Sequence, residues 1–173
     1  IALVDGPAMG AGCDLALACD CRLVTGRARF EETWVKLGLV PGMGGMALLP
    51  PLVGLGRARS MLYRAEPIDG PRAVEIGLAE AMLDEGNQRQ DMEAWLAPLL
   101  AHDRIALERI KLGTRQSAMR LLSDDLNRAR SDQALRLSNP DVAGRLSSLA
   151  CGDRPADESD REEIATSSRP QRR

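Results

Sequence analysis

The stretch from Gly6 to Asp20, GPAMGAGCDLALACD, constrains this chain more than any other. The apolar run before it, Ile1 to Val4, reads as a buried strand. Gly6, Gly10 and Gly12 then predict a tight turn, and Cys13 to Ala18 an apolar helix closed by Asp20. Such a strand–turn–helix order aims the first backbone N–H groups of the helix at whatever lies above its N-terminus. Unpaired N–H groups, backed by the helix dipole, form an anion site. Asp14 falls in the first turn of that helix. An oxyanion-binding turn beside an acid/base carboxylate is one way to build chemistry next to a carbonyl. Gly10-Ala11-Gly12 lacks the third glycine of a dinucleotide fingerprint, and no Gly-Lys-Ser/Thr follows, so this is not a P-loop. Read from the residues alone, the turn is equally structural punctuation, and Asp14 a dipole-compensating acid.

The remaining composition narrows the class. A chain of 173 residues suits one domain. A net charge of −2 argues against a general nucleic-acid or membrane-surface binder. Phe30, Trp34, Tyr63 and Trp95 are the only aromatics, so the core must be Leu, Val, Ile, Met and Ala. No apolar run approaches the roughly 20 residues of a membrane span. No basic n-region precedes Ile1, so no signal peptide is expected. Cys13, Cys19, Cys21 and Cys151 form no metal-ligand pattern. They read as buried reduced thiols, which fits a cytoplasmic setting.

Further along, Cys21 to Val24 and Ala28 to Phe30 read as short strands around the turn Thr25-Gly26-Arg27. Val35 to Leu39 reads as a short strand or extended segment, and Pro41 to Gly45 as a second glycine turn. A helix is expected over Met46 to Leu52, broken or bent at Pro50 and Pro51, and another over Arg57 to Arg64. Asp69 or Gly70 caps a helix with Pro71 at its first position, running Arg72 to Ile76. Leu78 to Leu83 reads as a strand. Helices follow over Asn87 to Ala101, Asp103 to Met119 and Leu121 to Leu137, with a fourth starting at Asn139-Pro140-Asp141. Met92, Trp95, Leu96, Leu99 and Leu100 make an apolar stripe on the first of these.

GPAMGAGCDLALACDCRL, followed by ARFEETWVKLGLVPGMGGMALLPPLVG, resembles the enoyl-CoA hydratase/isomerase (crotonase) superfamily, over about residues 1 to 150. The resemblance implies an α/β fold, the crotonase/ClpP-like ββα spiral, of which this chain holds the second part. Residues 1–85 would be the partial spiral core with half of an acyl-CoA site, and 86–150 the C-terminal helices. In the family those helices form trimer contacts, and one covers the acyl-CoA. From Cys151 the resemblance stops, and residues 151–173 are expected to be a disordered tail, too polar to offset their ordering entropy. Family members carry a further upstream part, with another oxyanion-hole N–H and much of the CoA-binding loop. The chain therefore reads as an N-terminally truncated homologue, and with its divergent tail as a disrupted or mis-bounded gene product.

By this resemblance the Ala11 N–H, flanked by Gly10 and Gly12, donates to the thioester carbonyl as an enolate forms. Asp14 stands where hydratases place one acid/base glutamate, one methylene shorter. Trp34 stands at the position of the second carboxylate, and an indole cannot transfer that proton. Glu32 lies two residues earlier, and alternate residues of an extended segment point the same way, so Glu32 is the candidate replacement. Trp34 reads as a wall of the acyl pocket, or as core. Gly42, Gly44 and Gly45 would run beside the acyl or pantetheine path, or simply permit helix packing. Lys111 and Arg115 would meet CoA phosphates or form a solvated face, and His102 is a surface or capping residue.

The implied function is an acyl-CoA-processing enzyme, with isomerisation easier to run than hydration on one clear carboxylate. The alternative is a catalytically inert crotonase-like fragment serving as a binding or assembly module. A serine peptidase of the same fold is excluded, because no serine sits at the turn and His102 is the only histidine. No metal or cofactor is implied beyond coenzyme A as part of the substrate. The implied partners are an acyl-CoA thioester and further copies of the chain in a homotrimer or dimer of trimers, with neither nucleic acid nor membrane.

Overall fold

The computed structural model describes residues 1–150, apart from the side chains of 116–118, 120 and 121. The expected tail lies outside the described residues. In chain order the elements are β1 (Ala2–Val4), β2 (Pro7–Met9), α1 (Ala11–Ala18), β3 (Arg22–Val24), β4 (Arg29–Glu31) and a 3₁₀ turn (Thr33–Leu37). Then come α2 (Gly45–Val53), α3 (Leu55–Arg64), β5 (Ile68–Asp69), α4 (Gly70–Glu75), β6 (Ala81–Met82), α5 (Gln88–Ala101), α6 (Arg104–Leu137) and α7 (Pro140–Ala150).

The first two strand pairs set the architecture. β1 pairs in parallel with β3, Leu3 opposite Leu23, while β2 pairs in parallel with β4, Ala8 opposite Phe30. Each strand–corner–strand unit thus lies against the next, one step along a spiral. The result is two small sheets, β1-β3-β6 and β2-β4-β5. The corner between them is tied by side chains. Thr25 Oγ1 donates to Asp5 at 2.5 Å, and Arg27 closes an ion pair on the same carboxylate.

With one phenylalanine available, the core is aliphatic around it. Phe30 is fully buried among Leu17, Val24, Leu49, Met61 and Leu78. Arg22 is also buried, and its guanidinium meets the carbonyls of Leu78 at 2.6 Å and Cys19 at 2.8 Å and the Glu80 carboxylate at 2.8 Å. A buried guanidinium survives only when its donors are matched in this way. The predicted cap at Asp69 forms, with its side chain accepting from the Arg72 N–H at 2.9 Å and Pro71 in the first turn of α4. Asp103 caps α6 likewise, accepting from the Ala106 N–H at 2.8 Å.

Several expectations are corrected. Val35 to Leu39 is not a strand: the segment winds into the 3₁₀ turn, which Gly38 ends at φ 73. The expected strand over Leu78–Leu83 shrinks to Ala81–Met82, because only two residues find partners on β3. Helix α2 continues through Pro50 and Pro51 rather than breaking there. The two helices expected over 103–137 are one helix, α6. No cap or proline interrupts it, and its far end is anchored where Gln133 donates to the Val40 carbonyl and Arg136 to that of Gly38, both at 2.7 Å. On α5, Met92, Trp95, Leu96 and Leu99 are only half-buried and Leu100 is exposed. Cys13 is buried, but Cys19 and Cys21 are half-buried, and all three are free thiols. Among the described residues no helix is long and apolar enough to cross a membrane.

Candidate functional site

Helix α1 begins at Ala11 because Gly10 can turn the chain. Gly10 sits at φ 50, and a Cβ there would approach Thr33 Oγ1 at 2.9 Å. Its N–H bonds the Glu31 carbonyl at 2.8 Å, and its own carbonyl takes the Asp14 N–H at 3.0 Å. Ala11 and Gly12 are exposed and occupy the first two helical positions, whose N–H groups have no partner within a helix. Ala11 and Gly12 thus stand exposed at the N-terminus of α1.

The helix has two working faces. Gly12, Leu15, Ala16 and Cys19 line an open groove shared with β1 and β2. Cys13 and Asp14 are buried on the other side. There Asp14 meets Glu32 across the start of α2. Asp14 is 0% exposed and Glu32 1%. A Cβ on Gly45 would collide with Asp14 Oδ1 and lie 3.0 and 3.2 Å from the two oxygens of Glu32. Two carboxylates thus converge on one α-carbon, and only glycine leaves them room. Gly44, at φ 110, caps α2 and sets Gly45 as its first residue, so the positive end of the α2 dipole faces the pair.

No oxygen of either carboxylate has a hydrogen-bond partner among the described residues. Burial accordingly dominates their protonation. It pushes Asp14 up to about 6, opposed by the nearby Met43 amide, Trp34 indole and Gly45 amide and reinforced by the Asp125 charge. Burial, then the Asp14 charge, pushes Glu32 up to about 7, with the Cys13 thiol opposing. The two carboxyls titrate as a coupled pair. Near neutrality such a pair holds one proton to give and one carboxylate to accept with.

Trp34 completes this cluster. Its ring carbon Cε2 lies 3.7 Å from the place of a Gly10 Cβ, and its Nε1 is buried without a partner. The structure therefore gathers Gly10, Ala11, Gly12, Asp14, Glu32, Trp34 and Gly45 around one end of α1. Gly42 and Gly44 sit apart, packed beneath α6 against Gln133 and Leu122. Lys111 and Arg115 both hold Asp20, at 2.6 and 2.8 Å. His102 is an exposed residue closing α5. Sequence reasoning missed Asp125 on α6, whose Oδ2 is buried without a partner and whose charge reaches Asp14. No local signal marks it, because its neighbours come from elements distant in sequence.

Comparison with known proteins places the chain in a family. Residues 1–136 match the family model described as enoyl-CoA hydratase/isomerase. The chain is 34% identical over 134 residues to a crotonyl-CoA hydratase of Syntrophomonas wolfei, covering 78% of this chain and 50% of that protein. It is 40% identical over 100 residues to an ethylmalonyl-CoA decarboxylase of Gallus gallus, covering 56% and 34%. A solved enoyl-CoA hydratase from Mycobacterium avium subsp. paratuberculosis superposes with a TM-score of 0.81 at 29% identity, over 88% of this chain and 62% of that one. The chain thus spans half or less of the length of these two curated relatives. With the spiral of paired strands, the glycine turn and the match over most of its length, the chain belongs to the enoyl-CoA hydratase/isomerase family.

Proposed function

We propose that this chain carries the acid/base half of an acyl-CoA site, with Asp14 and Glu32 as the proton-transferring pair. The convergence of two buried, unpartnered carboxylates on Gly45 supports it. The thioester carbonyl sits against the Ala11 N–H, between Gly10 and Gly12, and the charge that develops on its oxygen is held there. The ionised member of the pair removes a proton next to that carbonyl, and the protonated member returns one at the far carbon of the shifted double bond. Trp34 walls the acyl chain, and Gly45 bounds its path beside the carboxyl pair. Both carboxyls are closed from water, which favours isomerisation over hydration. Coenzyme A enters only as part of the substrate.

Rates on 2-enoyl- and 3-enoyl-CoA thioesters test this reading. Wild type should isomerise, and Asp14→Asn and Glu32→Gln should each lose on the order of 10²–10⁴ in rate. Fast hydration without isomerisation would overturn the reaction assigned.

The near-complete enclosure of the carboxylates also favours a second reading, a crotonase-like module that binds without turnover. Calorimetric titration with a saturated acyl-CoA and with free CoA, alongside absent turnover, would establish it. The exposed apolar side chains Ile105, Ile110 and Leu112 on α6 suit a homotrimer or dimer of trimers, which light scattering on the purified protein checks.

A further inference from the structure

The Trp34 indole is more than a wall. We propose that its N–H is the hydrogen-bond donor that positions the Asp14 carboxylate, making Trp34 a positioning residue for the acid/base group. Three observations carry this. Trp34 Nε1 is buried with no partner among the described residues, and so are both oxygens of Asp14. A buried donor left beside a buried acceptor is costly until the two pair. The ring is held at the right place. Its Cε2, the carbon bonded to Nε1, lies 3.7 Å from the position of a Gly10 Cβ, and the Gly10 carbonyl accepts the backbone N–H of Asp14 at 3.0 Å. The indole therefore lies against Gly10, one helical turn before Asp14. The indole also opposes the burial-driven rise of Asp14, as a donor to the ionised form must.

The ionised carboxylate accepts this bond well and the protonated one poorly, so the indole reports the titration of Asp14. Other groups face Asp14 from each packed element. Cys13 lies on its own helix, Glu32 on the segment before the 3₁₀ turn, and Asp125 on α6, itself faced by Arg128. The inference deepens the reading of Asp14 as an acid/base group. Its test uses the protein without substrate, so it can fail while that reading stands.

The chain has two tryptophans. Trp95→Phe leaves Trp34 as the sole indole emitter. Its emission should shift with a midpoint near 6. The transition should vanish on adding Asp14→Asn and persist on adding Glu32→Gln or Asp125→Asn. Independently, carboxyl NMR of Trp34→Phe should place the Asp14 midpoint roughly half to one pH unit above wild type, and this comparison needs only the conservative ring replacement to fold. A transition that survives Asp14→Asn, or that is lost in Glu32→Gln, overturns the assignment. So does an Asp14 midpoint unmoved by Trp34→Phe.

Discussion

Asp14 and Glu32 arrive from different elements and close on the same α-carbon, that of Gly45, where a methyl group would strike Asp14 Oδ1 and crowd Glu32. Gly45→Ala should therefore be disruptive although alanine is the better helix former. The overpacking is expected to cost about 1–3 kcal/mol, read as a lower urea midpoint. Any acyl-CoA turnover should fall with it.

The same pair makes stability depend on pH. Both carboxyls hold protons more tightly in the folded chain than their ordinary values of 3.8 and 4.5 allow, at about 6 and about 7. Between those limits the native state binds more protons than the unfolded one, so stability falls as pH rises from about 4 to about 7. Asp14→Asn and Glu32→Gln should each flatten that slope. At pH 8 either variant should be more stable than wild type, by on the order of 1–3 kcal/mol. Urea unfolding from pH 4 to 8 checks this, and a wild type more stable at pH 8 than at pH 4 would contradict it.

Arg22 joins β3 to the Leu78–Glu80 segment. Its guanidinium holds two carbonyls and the Glu80 carboxylate from a buried position. Arg22→Ala should cost about 3–5 kcal/mol, since it orphans several polar groups at once. Arg22→Lys should rescue little, because one ammonium cannot reproduce the planar fork. Thermal melts of the two variants make the comparison.

Asp20 pins the first part of α6 to the end of α1 through Lys111 and Arg115. All three side chains are well exposed, so Asp20→Ala should lower global stability by less than about 1 kcal/mol. Amide exchange should nevertheless quicken in α6 near Lys111, and salt should produce the same quickening in wild type.

Much of the fold was legible locally. The glycine turn announced the strand–turn–helix unit, Asp69 announced a helix cap, and apolar runs located β1 and β3. Local physics is enough for these, because a cap or a positive φ depends on a few neighbouring residues. The choice of Asp14 as a site residue came from the family resemblance, at a position in the first turn of α1. What local pattern could not decide was which groups meet. Val35 to Leu39 alternates like a strand, but it continues the 3₁₀ turn whose first residues, Thr33 and Trp34, lie against Gly10. Glu32 was singled out by its spacing from Trp34, but only the fold buries it beside Asp14. Asp125 has no local mark, and only the packing of α6 over α2 brings its charge to Asp14. Burial and proximity are properties of the assembled chain, and here they set the protonation of the site. The sequence alone determined the turn, the cap at Asp69 and a carboxylate in the first turn of α1. The tertiary structure decided that Glu32, Trp34 and Gly45 surround it, because desolvation and contact exist only once distant segments are packed together.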